Sequence, residues 1–402
     1  MLSFALWLTA TCTLTALSTT FAIGPESAVR PHRIPWGQEY YGEPSALYNP
    51  AAVFHPKHGW VTLFRLDKCF YEKCGIHKTN TSVIVADMGQ GSAPDIDKGV
   101  KSAAVWEYEK ASFDKLLADN NCDKFALGDF RPFLYKGDVY ASFWIKFGWS
   151  TPNPPPQHVC WSTGWGDPHS CEYTAYGKLD FAAKQLQMTQ QFAKPVLGAS
   201  FKPEKNWGFL EQDGQLLLIY SLLPCTVIYR VDPTADKGAV FDRSFCYSSP
   251  ELVEASTNHA MPTSRLSGHP QLWQHADGTS ELLLLVHSRI HHNSYHNWAV
   301  RVDPATLKVT HITAGPIIKS TDFAVEGYLK GVLVVSSFHV VDVGGQETLR
   351  LFMGEGDQFS DWQDVPLSQV NWWAVDPALA VPMKDEQAVT EWSRRHRRLL
   401  RQ

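Results

Sequence analysis

Between residues 47 and 345 the chain repeats one hydropathy pattern: a short apolar strand, a polar turn carrying glycine, and a second strand rich in Val, Leu, Ile and aromatics. Five stretches carry it: NPAAVFHPKHGWVTLFR, DFRPFLYKGDVYASFW, NWGFLEQDGQLLLIYSL, HPQLWQHADGTSELLLLVHS and VEGYLKGVLVVSSF. Each reads as a hairpin. After the third and fourth comes another shared hairpin, VIYRVDPTADKGAVF and WAVRVDPATLKVTHI, in which Val-Asp-Pro closes a strand and opens a turn. The turn glycines Gly59, Gly137, Gly214, Gly278 and Gly331 mark five units of about four strands each, the unit of a propeller blade. The predicted fold is all-β, one five-bladed β-propeller over residues 23–380. A two-sheet sandwich also yields hairpins, but not one double-hairpin unit recurring five times. Little helix is expected before residues 381–402, where DEQAVTEWSRRHRRLLRQ reads as a short helix with a basic end.

The same register collects polar residues. Just before or within the first strand of each unit stand Asn49, then Asp129 and Arg131, then Lys205 and Asn206, then His269, then Asp322 and Glu326. Second strands add Arg65, Ser221 and His287, and past the fifth come His339 and Asp342. In a propeller the innermost strands border the central channel. Apolar residues would pack such a channel, so a converging ring of Asp, Arg, Lys, Asn and His predicts a polar ligand pocket. Singly, each has a blander reading: an Asp near a β-turn is commonly a turn former, and Asn49 before Pro50 is an ordinary turn start.

Composition narrows the classes. At 402 residues, 44% hydrophobic and net charge -5, the chain can bury a large core, and nothing in its charge asks for nucleic acid. The apolar, Thr- and Ser-dotted stretch LSFALWLTATCTLTALSTTFA reads as a signal peptide over residues 1–22, cleaved near Ala22, which implies secretion or a secretory-pathway lumen. A Golgi signal anchor is the alternative, and no other transmembrane span is expected. In that compartment Cys69 with Cys74, Cys160 with Cys171, and Cys225 with Cys246 are the expected disulfides, leaving Cys122 over. No spacing is CxxC, so no metal site is expected there. Asn80-Thr81-Ser82 is a glycosylation sequon.

YNPAAVFHPKHGWVTLFR, GDFRPFLYKG, EKNWGFLEQDGQLLLIYSLLP, GHPQLW followed by LLLLVHS and Tyr295, and EGYLKGVLVVSSFHVVD occur in this order. Together they resemble the blade signatures of glycoside hydrolase family 130 and the related β-mannosyltransferases and mannoside phosphorylases, with KNW and its hairpin the most specific piece. The resemblance implies a five-bladed propeller that cleaves or builds β-mannosidic and related bonds with inversion. It matches Asp129 to the general acid and Arg131 to the basic residue beside it. It also matches Lys205 and His287 to phosphate contacts, Asn49 and Arg65 to sugar contacts, and Tyr295 to a further anion or substrate contact. Gly128 and Phe130 depart from the family's Glu-Asp-Pro-Arg motif.

Inverting cleavage needs an acid at the leaving oxygen and, on the opposite face, either water activated by a second carboxylate or phosphate itself. Asp129 is the candidate acid, and Asp342, Glu326 or Asp322 would supply the second carboxylate of a hydrolase. Lys205, Arg65 and His287 form a candidate cluster for phosphate, free as a co-substrate or carried by a sugar. No other cofactor is expected. Asn206, His269 and Glu326 complete the substrate-binding candidates by register. The four histidines of HSRIHHNSYH read as loop residues beside the pocket rather than a metal site. STPNPPPQHVCWSTGWGDPHSCEY is a Pro- and Trp-rich insertion whose indoles are suited to cover a sugar, and RRHRRLLR reads as a solvated tail. The expected partner is an oligosaccharide or glycan. The expected activity is hydrolysis or phosphorolysis, with a β-mannosyltransferase or a catalytically decayed glycan-binding propeller as alternatives.

Overall fold

The turn glycines of the first four units sit in the left-handed region that a tight hairpin turn requires: Gly59 at φ +73°, Gly137 at +76°, Gly214 at +73° and Gly278 at +83°. The computed structural model describes residues 32–34, 46–67, 81–120, 122, 124–148, 170–192, 206–235, 238–258, 265–275, 277–291, 294–323, 332–355, 359–385, 387–389 and 391.

A short strand β1 (His32–Arg33) precedes the first blade, which comprises β2 (Ala46–His55), β3 (Gly59–Asp67), β4 (Thr81–Asp87) and β5 (Ala104–Tyr108). The second is β6 (Lys124–Tyr135), β7 (Asp138–Gly148), β8 (Ser170–Asp180) and β9 (Gln185–Gln191). The third is β10 (Gly208–Gln212), β11 (Gln215–Ser221), β12 (Cys225–Val231) and β13 (Ala239–Phe241), with β14 (Tyr247–Ser248) also on β12. In the fourth, β15 (Arg265–Leu266) and β16 (Gln271–Gln274) share the innermost position. They are followed by β17 (Ser280–His291), β18 (Ser294–Val302), β19 (Val309–Thr313) and the short β20 (Ile318–Lys319) on β18. The fifth is β21 (Leu333–Val343), β22 (Gln346–Glu355) and β23 (Phe359–Pro366).

Five apolar cores lie between successive blades, which is what makes the assembly a closed ring. Leu63, Val85, Leu127 and Phe143 join blades one and two. Phe133, Tyr176, Phe209 and Leu218 join two and three. Ile219, Ile228, Leu284 and Trp298 join three and four. Leu285, Ala299, Val335 and Leu351 join four and five, and Val341 and Phe352 meet Ala52, Phe64 and Ile84 to join five and one. Along each strand alternate side chains face opposite neighbours, so both faces of a blade are buried. The chain therefore folds as a five-bladed β-propeller.

Blade five is completed from the other end of the chain. β1 pairs antiparallel with β23, His32 opposite Trp362 and Arg33 opposite Asp361, and Ile34 N–H donates to the Ser360 carbonyl at 2.8 Å. After β23 the chain turns back: β24 (Trp372–Ala374) adds to β19 of blade four, and β25 (Val381–Pro382) adds to β14 of blade three.

Four expectations change. The fifth expected turn glycine, Gly331, lies outside the described residues. LVVSSFHVVDV is the innermost strand β21 itself, and the turn is Gly344-Gly345. Val-rich runs read equally well as first or second strand of a hairpin, and the pattern alone offset this unit by one strand. Blades one and two are fused into one eight-stranded sheet by a parallel β5–β9 pair. Short helices occur at Ile96–Ser102, Lys110–Asp119 and Pro250–Asn258. The second buries only Phe113 and Leu116, too few for a readable apolar stripe. At the C-terminal end residues 387–389 are helical, and the tail from 392 lies outside the described residues, as do the leader, Asn80, Cys69, Cys74 and Cys160. Cys225 and Cys246 are both buried in the core between blades two and three but do not form the expected disulfide; the Cys246 thiol donates to the Ile228 carbonyl at 3.3 Å.

Candidate active site

An innermost strand has one edge paired to its own blade and the other turned to the channel. Bulges at one register break these strands: between Tyr48 and Ala51 in β2, Gly128 and Arg131 in β6, and Val335 and Ser337 in β21. At the matching place Asn206 precedes β10, and Gly268 separates β15 from β16. Asn49 (φ +53°), Asp129 (+54°), Asn206 (+66°) and Gly268 (+111°) all take left-handed backbone there. A bulge re-aims its extra residue out of the pleat. Asx residues tolerate that geometry better than other side-bearing residues, so the sequence's Asn and Asp are backbone choices as well as chemical ones.

Asp129 is the meeting point. Asn49 Nδ2 donates to its Oδ1 at 2.7 Å, and Arg65 Nη1 stands 3.9 Å from the same oxygen. Asn49 is braced from blade five: a Cβ on Gly354 would fall 2.0 Å from Asn49 Oδ1, so only glycine admits this side chain. Asp129 and Arg131 then line a small open cleft with Ser142, Phe143, Trp144, Thr174, Asn206 and Trp207. Arg131 is buried, and its Nη1 donates to the Leu266 carbonyl at 2.9 Å. Burial pulls its pKa down to about 10, against the raising influence of Asp129, so it keeps its charge at neutral pH.

Asn49, Arg65, Asp129, Arg131 and Asn206 are thus brought together. His269 is not a ligand group. Its Nδ1 accepts from Phe209 N–H at 2.8 Å and its Nε2 faces the Arg131 carbonyl at 3.0 Å, so both nitrogens tie blades two, three and four to one another. Burial drops its pKa to about 3, which keeps it neutral. His339 does the same between blades five and one, with Nε2 2.8 Å from the Ala52 carbonyl. His287 is buried on β17. Ser267 Oγ donates to Asn297 Oδ1 at 3.1 Å, so His287 Nδ1 is the donor to that hydroxyl at 2.8 Å. Its ring centroid lies 5.9 Å from that of Tyr295. Asp342 is corrected: it is exposed at the far end of β21, and its Oδ1 accepts from Gly345 N–H at 3.0 Å, a turn-capping role set by the Gly-Gly hairpin. Ser221 donates to the Cys225 carbonyl at 2.8 Å and is likewise a turn staple. Lys205 and Glu326 lie outside the described residues, and Asp322 ends the 3-10 turn Ser320–Asp322.

Ser142, Phe143, Trp144, Thr174 and Trp207 are the cleft residues that sequence reasoning missed. A plain hairpin turning at Lys136-Gly137 sets Trp144 opposite Asp129, whereas the bulge moves it opposite Gly128. A glycine within a strand facing an aromatic across the ladder was the available signal.

No protein-family model matches the sequence, and no curated protein matches it either. Among solved structures the chain is similar to the β-1,2-mannobiose phosphorylase from Listeria innocua, with 12% identity over 86% of this chain and 96% of that one and a TM-score of 0.44. It is also similar to the GH43_1 enzyme from Xanthomonas citri in complex with xylose, with 8% identity over 83% and 91% and a TM-score of 0.40. The α-L-arabinanase of Cellvibrio cellulosa gives 12% identity over 86% and 97% and a TM-score of 0.34. These scores are too low to carry a functional inference.

Proposed function

We propose that the chain is a carbohydrate-active enzyme of the secretory pathway. It would cleave β-mannosidic or similar glycosidic bonds with inversion, as the resemblance to glycoside hydrolase family 130 implies. The observation that carries this reading is Asp129 itself: a carboxylate held at a strained bulge on the innermost strand, braced by Asn49 and Arg65, and facing a cleft with two tryptophans. Backbone strain at a carboxylate-bearing position in a cleft is a common companion of catalytic placement. Asp129 protonates the leaving oxygen, and Arg131 and Arg65 orient the substrate around it.

Among the described residues that line the cleft, Asp129 is the one carboxylate. Phosphorolysis, in which phosphate is the nucleophile, needs no second carboxylate, whereas hydrolysis would take one from Glu326 or Asp322 to activate water. Transfer from a phosphorylated sugar uses the same groups in reverse. The leader and the sequon at Asn80 support a lumenal or secreted location. N-terminal sequencing of the secreted chain, expected to begin just after Ala22, tests that part.

The deciding experiment incubates the mature chain with β-mannosides and other oligosaccharides, with and without phosphate, and with mannose-1-phosphate or GDP-mannose, reading products by mass. Sugar phosphate marks a phosphorylase, free sugar without phosphate a hydrolase, and an elongated glycan a transferase. Glycan binding without any product supports the decayed, lectin-like alternative and overturns the enzyme reading.

A further inference from the structure

Blade five grips the start of blade one just where Asn49 leaves the ladder. Ser336 Oγ donates to the Pro50 carbonyl, Ser337 Oγ accepts from Ala52 N–H at 2.9 Å, and His339 Nε2 lies 2.8 Å from the Ala52 carbonyl. All three side chains are buried. Residues 50–52 therefore cannot drift from blade five without leaving buried polar groups unpaired, which is costly.

Gly354 of β22 meets Asn49 from the same blade. Its backbone is ordinary strand rather than left-handed, so conformational freedom does not explain a glycine there, and a glycine inside a strand weakens it. Room explains it: a Cβ would fall 2.0 Å from Asn49 Oδ1 and 3.0 Å from the Asn49 backbone nitrogen. Gly354 is backed in turn by Ser360 of β23, its ladder partner, whose carbonyl accepts from Ile34 N–H at 2.8 Å. One row thus runs from the N-terminal strand through β23 and β22 to Asn49 and, by the 2.7 Å bond from Asn49 Nδ2, to Asp129 Oδ1.

An acid that delivers its proton along one line must hold its carboxyl plane in one orientation. The terminal torsions of Asp and Asn have no sharp minimum of their own, so neighbours have to supply it. Asn49 supplies it for Asp129. The Asn49 amide is planar, so a group that displaces its oxygen swings its nitrogen off Asp129 as well. Resting on the reading of Asp129 as the acid, we propose that Gly354 is a positioning residue: from blade five it seats the Asn49 amide, which fixes the carboxyl plane of Asp129 in blade two. Gly354 touches neither Asp129 nor the cleft-lining side chains and acts through Asn49.

Asn49→Gly suits the left-handed backbone at 49 and removes the amide, so wild type, Gly354→Ala, Asn49→Gly and the double variant of the full chain form a cycle that tests this. In NMR spectra of protein with isotope-labelled asparagine, the Asn49 side-chain signal is identified by its loss in Asn49→Gly. It is expected to shift in Gly354→Ala and in Asp129→Asn alike. In the assay in which wild type forms product, each single variant of the cycle is expected to lose about 10–100-fold in kcat with KM within about twofold, and the double variant to lose no more than Asn49→Gly alone. An unmoved Asn49 signal in Gly354→Ala, losses that multiply in the double variant, or a loss carried by KM overturns the inference. If Gly354→Ala does not fold by thermal melting, the double variant decides. It is expected to fold, because the Asn49 side chain is gone, and its failure to fold would show that position 354 answers to something else. Wild type that yields no product sinks the enzyme reading, and the Asn49 signal then decides whether Gly354 seats the amide that holds Asp129.

Discussion

Asp129 holds a left-handed conformation that costs a side-bearing residue about 1–2 kcal/mol, and the neighbouring blades hold it there through Asn49 and Arg65. Asparagine tolerates the same backbone and keeps the size of the side chain. Asp129→Asn is therefore expected to leave the melting temperature within a few degrees of wild type while turnover falls by about 10²–10⁴, the range for a lost general acid. A variant with wild-type rate in a steady-state assay would remove Asp129 from the mechanism. The buried histidines make a second prediction at this scale. Burial sets His269 at about 3 and His339 at about 4, both below an unfolded value near 6.5. The unfolded chain therefore takes up protons first, and stability is lost as pH falls from about 6.5 toward those values, each histidine adding about 1.4 kcal/mol per pH unit within its window. His339→Gln, which keeps a donor for the Ala52 carbonyl, is expected to flatten the loss of melting temperature between pH 6.5 and 4. An unchanged acid limb would show that other groups govern it.

At the scale of the strand, polar residues on an innermost edge have two employers. The channel-facing N–H and C=O groups of these edges are buried and require partners. Ser337 Oγ takes the Ala52 N–H at 2.9 Å while His339 meets its carbonyl, and His55 Nε2 lies 2.9 Å from the Gly137 carbonyl. The polar register visible in the sequence was therefore a mixture. Asp129 faces the cleft and Asn49 braces it, while His269 and His339 serve the backbone, and no local pattern separates the two because both demands select the same residue types. The break in blade four has a steric cause. Gly268 sits at φ +111°, and a Cβ there would lie 3.0 Å from Ser337 Cα of blade five. Gly268→Ala is expected to destabilise by at least about 2 kcal/mol, from strain and overpacking together, which denaturant unfolding would measure. A loss under 0.5 kcal/mol would mean the two blades part easily.

For the whole molecule the closure of the ring is decided by the two ends of the chain. β1 covers the outer edge of blade five, Ile34 beside it is 3% exposed, and His32 stacks on Trp362 with centroids 4.5 Å apart. Burying one such aliphatic side chain contributes about 1.5–3 kcal/mol. A chain lacking residues 1–34 is expected to melt a few degrees lower and to associate through the uncovered edge of β23, seen as larger species in light scattering. A monomer with unchanged melting would show that β1 contributes little. By itself the sequence determined the number of blades, the all-β class, four of five hairpin registers and the candidacy of Asp129, because strand period and turn glycines are local quantities. The tertiary structure decided the rest. The register of blade five, the fusion of blades one and two, the retirement of Asp342 to a turn and the arrival of Trp144 beside Asp129 depend on bulges and on contacts between blades. A single extra residue in a strand changes which side chains face the channel, and only the packing of one blade against the next selects where that residue goes.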